Sequence, residues 1–197
     1  RNVLFIGTVN IDESTYACSD KVLDRAQVLQ PSILPFQRLK EIGVQDIKYI
    51  KSPTVTAHDY LKWVRTSQTF DLTDAELDFL DAVQQLLQRH HHQLGIGYRI
   101  IRQIDAYLKN IPDHAELEEP FDRSDAFDLQ FVQKVLPKLR GSREMLEPII
   151  GHLQDGVLVR SQLIDLMDQY EHVSRFRASR IAVMQKAREL NDYGYAS

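Results

Sequence analysis

The residues best placed to do chemistry fall into a few short groups. Gly7-Thr8-Val9-Asn10 follows the apolar run Val3-Leu4-Phe5-Ile6. A side-chain amide at the C-terminal end of a buried strand can hold a water or a phosphate oxygen, because open α/β sheets place their ligands there. Asn10 and Asp12 equally suit Asx-turns that cap the next segment. Lys21-Val22-Leu23-Asp24-Arg25 offers cations to a phosphate, while Asp24 and Arg25 taken alone read as a surface pair. Tyr98-Arg99-Ile100-Ile101-Arg102 sets two arginines one turn apart at a helix start, where they either meet an anion or lie on a solvated face. His90-His91-His92 could chelate a transition metal, but adjacent positions at a helix end diverge. A solvated last turn, favoured by the helix dipole, accounts for them better, so no metal site is assigned. Near the C-terminus Arg175, Arg177, Arg180, Lys186 and Arg188 make one stretch basic, suited to DNA phosphates, an acidic partner or solvent.

These groups need elements to hold them. Val3 to Ile6 has the continuous apolar character of a strand covered on both faces, and Ala26 to Gln30 is a candidate second strand, ended by Pro31 and Pro35. Phe36, Leu39 and Ile42 suggest a short helix closed by Gly43, and Asp46 to Lys51 reads as extended. Thr56 to Asp59 has the form of a capped helix start. Thr73-Asp74-Ala75-Glu76 is a capping box opening a long helix with Leu77, Leu80, Val83 and Leu87 on one face. After the Gly95-Ile96-Gly97 break, Ile101, Ile104, Leu108 and Ile111 predict a helix over Tyr98 to Ile111, stopped by Pro112. Residues 113–124 are acidic and read as a loop. Leu129, Val132, Leu136 and Leu139 then line a helix that Pro137 should bend or end. Met145 to Leu153, Ser161 to Tyr170 and Arg177 to Leu190 are further helices. The fold class expected is mainly α: a short strand-bearing stub followed by a helical bundle whose apolar stripes face one another.

Composition bounds what such a chain does. Of 197 residues 43% are apolar, enough for a core, and 28 acidic against 24 basic residues exclude coating nucleic acid or anionic membrane by bulk charge. The single cysteine, Cys18, excludes an internal disulfide framework and fits a reducing cytoplasm. No apolar run reaches the roughly 20 residues of a membrane helix, and no signal peptide is present. The chain enters its first apolar run directly from Arg1-Asn2 without an initiator Met, as a piece of something longer would.

The stretch from Val3 to Thr15, followed by Ser19-Asp20-Lys21-Val22-Leu23-Asp24-Arg25-Ala26, resembles the sensor-1 and arginine-finger region of AAA+ nucleoside triphosphatases, with its nearest likeness in the McrB-like branch. Gly97 to Ile104 is similar to that group's sensor-2 helix, and Asp128 to Ser142 to a helix in its C-terminal regions. The turn after Asn10 departs from the pattern, since Asp12-Glu13 stand before Ser14 where many relatives carry an Asp-Arg pair.

The resemblance implies that Asn10 orients the attacking water as sensor 1, and that Arg25 reaches the nucleotide of a neighbouring subunit. It makes Arg99 the sensor-2 contact from a lid, with Arg102 as its competitor. It also implies ATP or GTP with magnesium as the working ligands of the longer protein and self-association into a ring, as a hexamer. Work on DNA with an effector subunit, in restriction or defence, follows from the same likeness. Residues 1–36 would then be the end of the AAA+ core, 37–112 a linker and helical lid, and 113–197 a C-terminal helical region. There is no Gly-x-x-x-x-Gly-Lys-Ser/Thr loop and no strand ending in paired acids, so this sequence alone is expected to be inactive and to require no cofactor. The rival expectation is a non-enzymatic helical interaction module.

Overall fold

The structure, a computed structural model, describes residues 6–8, 19–29, 56, 58, 70–92, 94–111 and 121–196. Among these residues the fold is mainly helical, with two small two-stranded sheets. A first short helix, α1 (Asp20–Leu23), precedes the long α2 (Asp74–His90) and α3 (Tyr98–Lys109). Next come α4 (Arg123–Gln130), α5 (Arg143–Ile150), α6 (Gln162–Gln169) and α7 (Arg177–Tyr193).

The capping box predicted for α2 is formed. Thr73 Oγ1 accepts from the Glu76 N–H at 3.2 Å, and the Thr73 N–H donates to Glu76 Oε2 at 2.8 Å. The Glu76 carboxylate is buried because Arg123, the first residue of α4, donates to both its oxygens at 2.9 Å. The same guanidinium pairs with Asp71 at 2.6 Å, so one arginine ties the start of α4 to the start of α2. Helix α4 therefore begins at Arg123, capped by Asp122, inside the stretch expected to be loop. Asp122 supplies the cap that the loop reading overlooked.

Pro137 acts where expected but in an unexpected way. Without an N–H, and with a ring that crowds the carbonyl four residues back, it cannot extend α4 as a regular helix. The chain widens into a π-helical turn over Phe131–Val135, in which the Leu136 N–H reaches the Phe131 carbonyl, and then tightens into a 3-10 turn over Leu136–Lys138. This changes the buried face. Phe127, Phe131, Val135, Leu136 and Leu139 are buried, whereas Leu129 and Val132, predicted for the stripe, are only partly so. A regular 3.6-residue period cannot register an inserted π turn.

A second correction falls between α5 and α6. Helix α5 stops at Ile150 rather than Leu153, and β2 (His152–Gln154) pairs antiparallel with β3 (Val157–Val159). Asp155 and Gly156, at φ 51° and 78°, occupy the left-handed positions of a tight hairpin turn, for which Asp-Gly is a favoured pair. Gly151, at φ 88°, ends α5 against the Val159 carbonyl, where a Cβ would collide. The other sheet pairs β1 (Gly141–Ser142) with β4 (Tyr195–Ala196), which returns the end of α7 to the start of α5.

The core centres on Phe79, whose ring lies 4.6 Å from Phe176, 5.2 Å from Phe131, 5.5 Å from Tyr170 and 5.9 Å from Phe127. Four helical segments thus meet in one aromatic cluster. Phe176 is left-handed at φ 50°, a costly conformation for a bulky residue, and it is fully buried. Its N–H is held by Ser174 Oγ at 3.1 Å, and immediately beyond it Asp128 caps α7 by accepting from the Ala178 and Ser179 N–H groups at 2.7 and 3.0 Å. Buried apolar residues from Leu72 to Ala196 belong to a single cluster.

At the N-terminal end the expectations fare differently. Of the strand expected over Val3 to Ile6 only Ile6 is described, 97% exposed and in no sheet, while Val3 to Phe5 lie outside the described residues. Ala26 to Leu29 is likewise not a strand. After α1 the chain turns at Asp24-Arg25, where the Arg25 and Ala26 N–H groups donate back to the Val22 carbonyl, and the Asp24 and Ala26 carbonyls accept from side chains of the bundle. Thr56 lies outside any helix and His58 is helical, while Ala57 and Asp59 of the proposed start lie outside the described residues.

Candidate functional site

Of the four candidate site residues, Arg25, Arg99 and Arg102 fall among the described residues. Asn10 lies outside the described residues, as does Cys18. Arg25 follows α1 in a turn and is exposed. Arg99 and Arg102 stand in the first turns of α3 and are exposed too. The turn and the helix are in direct contact. The amide of Gln103, one residue beyond Arg102, donates to the Asp24 carbonyl at 3.0 Å, and Arg99 Nη1 lies 3.9 Å from Asp24 Oδ2.

The local sequence explains why α3 can present two arginines. Ile100, Ile104 and Leu108 are buried on its inner face, so Ile104 and Leu108 of the predicted stripe are borne out, while Ile100 takes the place of Ile101, and Ile101 and Ile111 are only partly covered. Positions 99 and 102 then fall on the outer side. Gly97 starts the helix without a side-chain cap. Further along, Asp105 is buried, and its Oδ1 accepts from the N–H groups of Asp71 and Leu72 at 2.6 and 3.1 Å while Lys109 pairs with Oδ2 at 2.6 Å. This fixes α3 against the entry to α2.

Sequence reasoning missed the residues that hold the Arg25 turn. Lys138 Nζ pairs with Asp24 Oδ1 at 2.7 Å, and Lys134 Nζ donates to the Ala26 carbonyl at 2.5 Å. Gln27 donates its side-chain amide to Gln133. Lys134 is buried, and desolvation lowers its pKa from the ordinary lysine value, an effect that the charge of Asp24 opposes. The only signal in the sequence was the pair of lysines flanking Pro137, which periodicity alone assigns to solvent.

The other motifs are dispersed. His90 Nε2 lies 3.2 Å from Gln162 Oε1, His91 leaves the helix as its C-cap, and His92 is exposed. Among the described residues no three His, Cys, Asp or Glu side chains are grouped to hold a metal ion. No described helix is long and apolar enough to cross a membrane. In the basic C-terminal stretch Lys186 is buried and Arg180 pairs with Asp168 at 2.5 Å, so only Arg175, Arg177 and Arg188 remain exposed.

A family model described as a domain of unknown function (DUF8727) matches residues 46–195. The chain belongs to this family. No curated protein and no solved structure matches the sequence. The DUF8727 match covers α2 to α7 and β1 to β3 and ends within β4, and it includes Arg99, Arg102, Lys134 and Lys138. It does not reach Asp24 and Arg25, so the contact between that turn and α3 joins the DUF8727 region to a segment preceding it.

Proposed function

We propose that the chain is the C-terminal part of an AAA+ nucleoside triphosphatase of the McrB-like branch, hydrolysing ATP or GTP in a ring that works on DNA in restriction or defence. The observation that supports this reading is the packing of the Asp24-Arg25 turn on the helix that carries Arg99 and Arg102, with all three guanidinium groups exposed. A guanidinium offers planar, bidentate donors that suit phosphate oxygens and stays charged at any working pH. Arg25 is the group that stabilises charge developing on the transferred phosphoryl of an adjacent subunit, and Arg99 binds phosphate from the lid. Asn10 is assigned to the attacking water by the sequence pattern alone. Nothing in this chain is assigned to magnesium, because the paired acids that would hold it are absent from the sequence.

Steady-state hydrolysis of ATP and GTP by the full natural protein tests the reading. Arg25→Ala should lower kcat about a hundredfold or more, as loss of a transition-state contact does, with nucleotide binding retained. Wild-type turnover that Arg25→Ala leaves untouched removes Arg25 from the site, and wild-type protein without turnover refutes the assignment.

The non-enzymatic reading, a helical interaction module, has its own support in a shallow groove lined by Val157, Leu158, Ile164 and Met184. Val157 is 61% exposed there, and Ile181 on α7 is 71% exposed. An inactive protein whose self-association or partner binding is lost on Val157→Asp would favour it.

A further inference from the structure

We propose that Lys134 and Lys138 are positioning residues: together they form a receptor on the DUF8727 region that holds the Asp24-Arg25 turn, and through it sets where Arg25 stands. The proposal rests on the functional reading above for its catalytic half only.

The receptor is built by Pro137. Because proline excludes a regular helix there, the backbone takes a π turn over Phe131–Val135 and a 3-10 turn over Leu136–Lys138. Such turns inside helices often occur at functional sites. Lys134 lies in the π turn and Lys138 at the end of the 3-10 turn, and both ammonium groups reach the same short segment. One binds the Ala26 carbonyl at 2.5 Å and the other the Asp24 carboxylate at 2.7 Å. Gln103, on α3, donates to the Asp24 carbonyl at 3.0 Å, and Gln133 accepts from Gln27.

Taking a lysine out of water is costly, and a structure recovers that cost only where the charge meets well-placed oxygens. Lys134 is 5% exposed and Lys138 has a side chain 14% exposed, so both are desolvated at this contact. If the segment before residue 46 lay elsewhere, Lys134 would face neither the Ala26 carbonyl nor the Asp24 carboxylate. The two lysines and Gln103 lie inside the DUF8727 match, while Asp24, Ala26 and Gln27 lie outside it. The family region therefore carries a polar seat shaped for a neighbouring segment. Asp24 is shared between Lys138 and Arg99, at 2.7 and 3.9 Å. Arg99 has to loosen its longer contact to take a phosphate, whereas the shorter Lys138 contact keeps the turn seated.

Amide hydrogen exchange of Val22 to Gln27 and nucleotide turnover, measured on the same full-length samples, test both halves. Lys138→Met and Asp24→Asn should each speed exchange about tenfold, the scale of a lost, partly buried ion pair. The double variant should go no further than Asp24→Asn alone, because the Lys138 interaction is already lost in it. Lys134→Met serves as a second probe, and Lys138→Arg should restore most of the protection. On the catalytic side the same variants should lower kcat about tenfold with KM held within about twofold, the pattern of a contact made only in the transition state. Unchanged exchange in all three charge-removing variants overturns the docking. Faster exchange with unchanged kcat overturns the positioning role. Wild-type protein without turnover refutes the nucleotide reading and with it the catalytic half, while exchange still decides the docking.

Discussion

Asp105 shows how one carboxylate can set the position of a candidate phosphate-binding helix. Burial pushes its pKa up, but the Lys109 ammonium and the backbone N–H groups of Asp71 and Leu72 outweigh that, and the net shift is below the ordinary value of 3.8. A group whose folded pKa is depressed stabilises fully above its unfolded pKa and loses that contribution as pH falls through the folded one. Thermal stability should therefore drop on acidification below about pH 4, by less in Asp105→Asn than in wild type. At neutral pH Asp105→Ala should cost about 2 kcal/mol, since it strands two N–H groups and removes the ion pair with Lys109, and denaturant titration reads that directly. Arg99 differs in kind. It is exposed, and its contact with Asp24 is 3.9 Å long, so Arg99→Ala should lower stability by no more than about 0.5 kcal/mol in a denaturant titration while weakening nucleotide binding. A large stability loss with normal binding would make it structural and leave Arg102 as the sensor.

At the scale of elements, the strongest joints are caps made by side chains from elsewhere in the chain. Asp128 of α4 closes the N-terminus of α7 just after the left-handed Phe176, and Asp128→Ala should cost about 2 kcal/mol, more than the roughly 1 kcal/mol expected for Thr73→Ala in the exposed capping box. Equal losses would mean that the α7 cap carries no extra weight. Thr73 was legible in the sequence because a capping box is local: four residues contain both partners. The ends of α2 and the start of α3 were legible for the same reason. Asp128 was not, because its partners lie about 50 residues away and nothing local marks them. The β2–β3 hairpin could have been found from Asp155-Gly156 between apolar residues, in the interval between two of the expected helices. Pro137 was recognised as a disturbance, but whether a helix ends or widens into a π turn depends on what its displaced side chains meet. Here they meet Ala26 and Asp24. The candidate arginines were visible as residue types, and their juxtaposition was not.

Across the whole molecule, residues from Leu72 to Ala196 share one core, and the Asp24-Arg25 turn lies on its outside, held by polar contacts instead of apolar burial. An attachment of that kind can be released without unfolding the bundle. Arg25→Ala should accordingly leave the melting temperature of the bundle within about 1 °C, a check by calorimetry that precedes any assay of function. The central claim is that Arg25 completes a nucleotide site on a neighbouring subunit. Its most direct test mixes two inactive full-length variants, Arg25→Ala and one whose phosphate loop is disabled, and follows phosphate release. The account predicts recovered turnover at intermediate mixing ratios, because the intact finger of one variant serves the intact site of the other. No recovery at any ratio, with mixed assembly verified by native mass spectrometry, would contradict it.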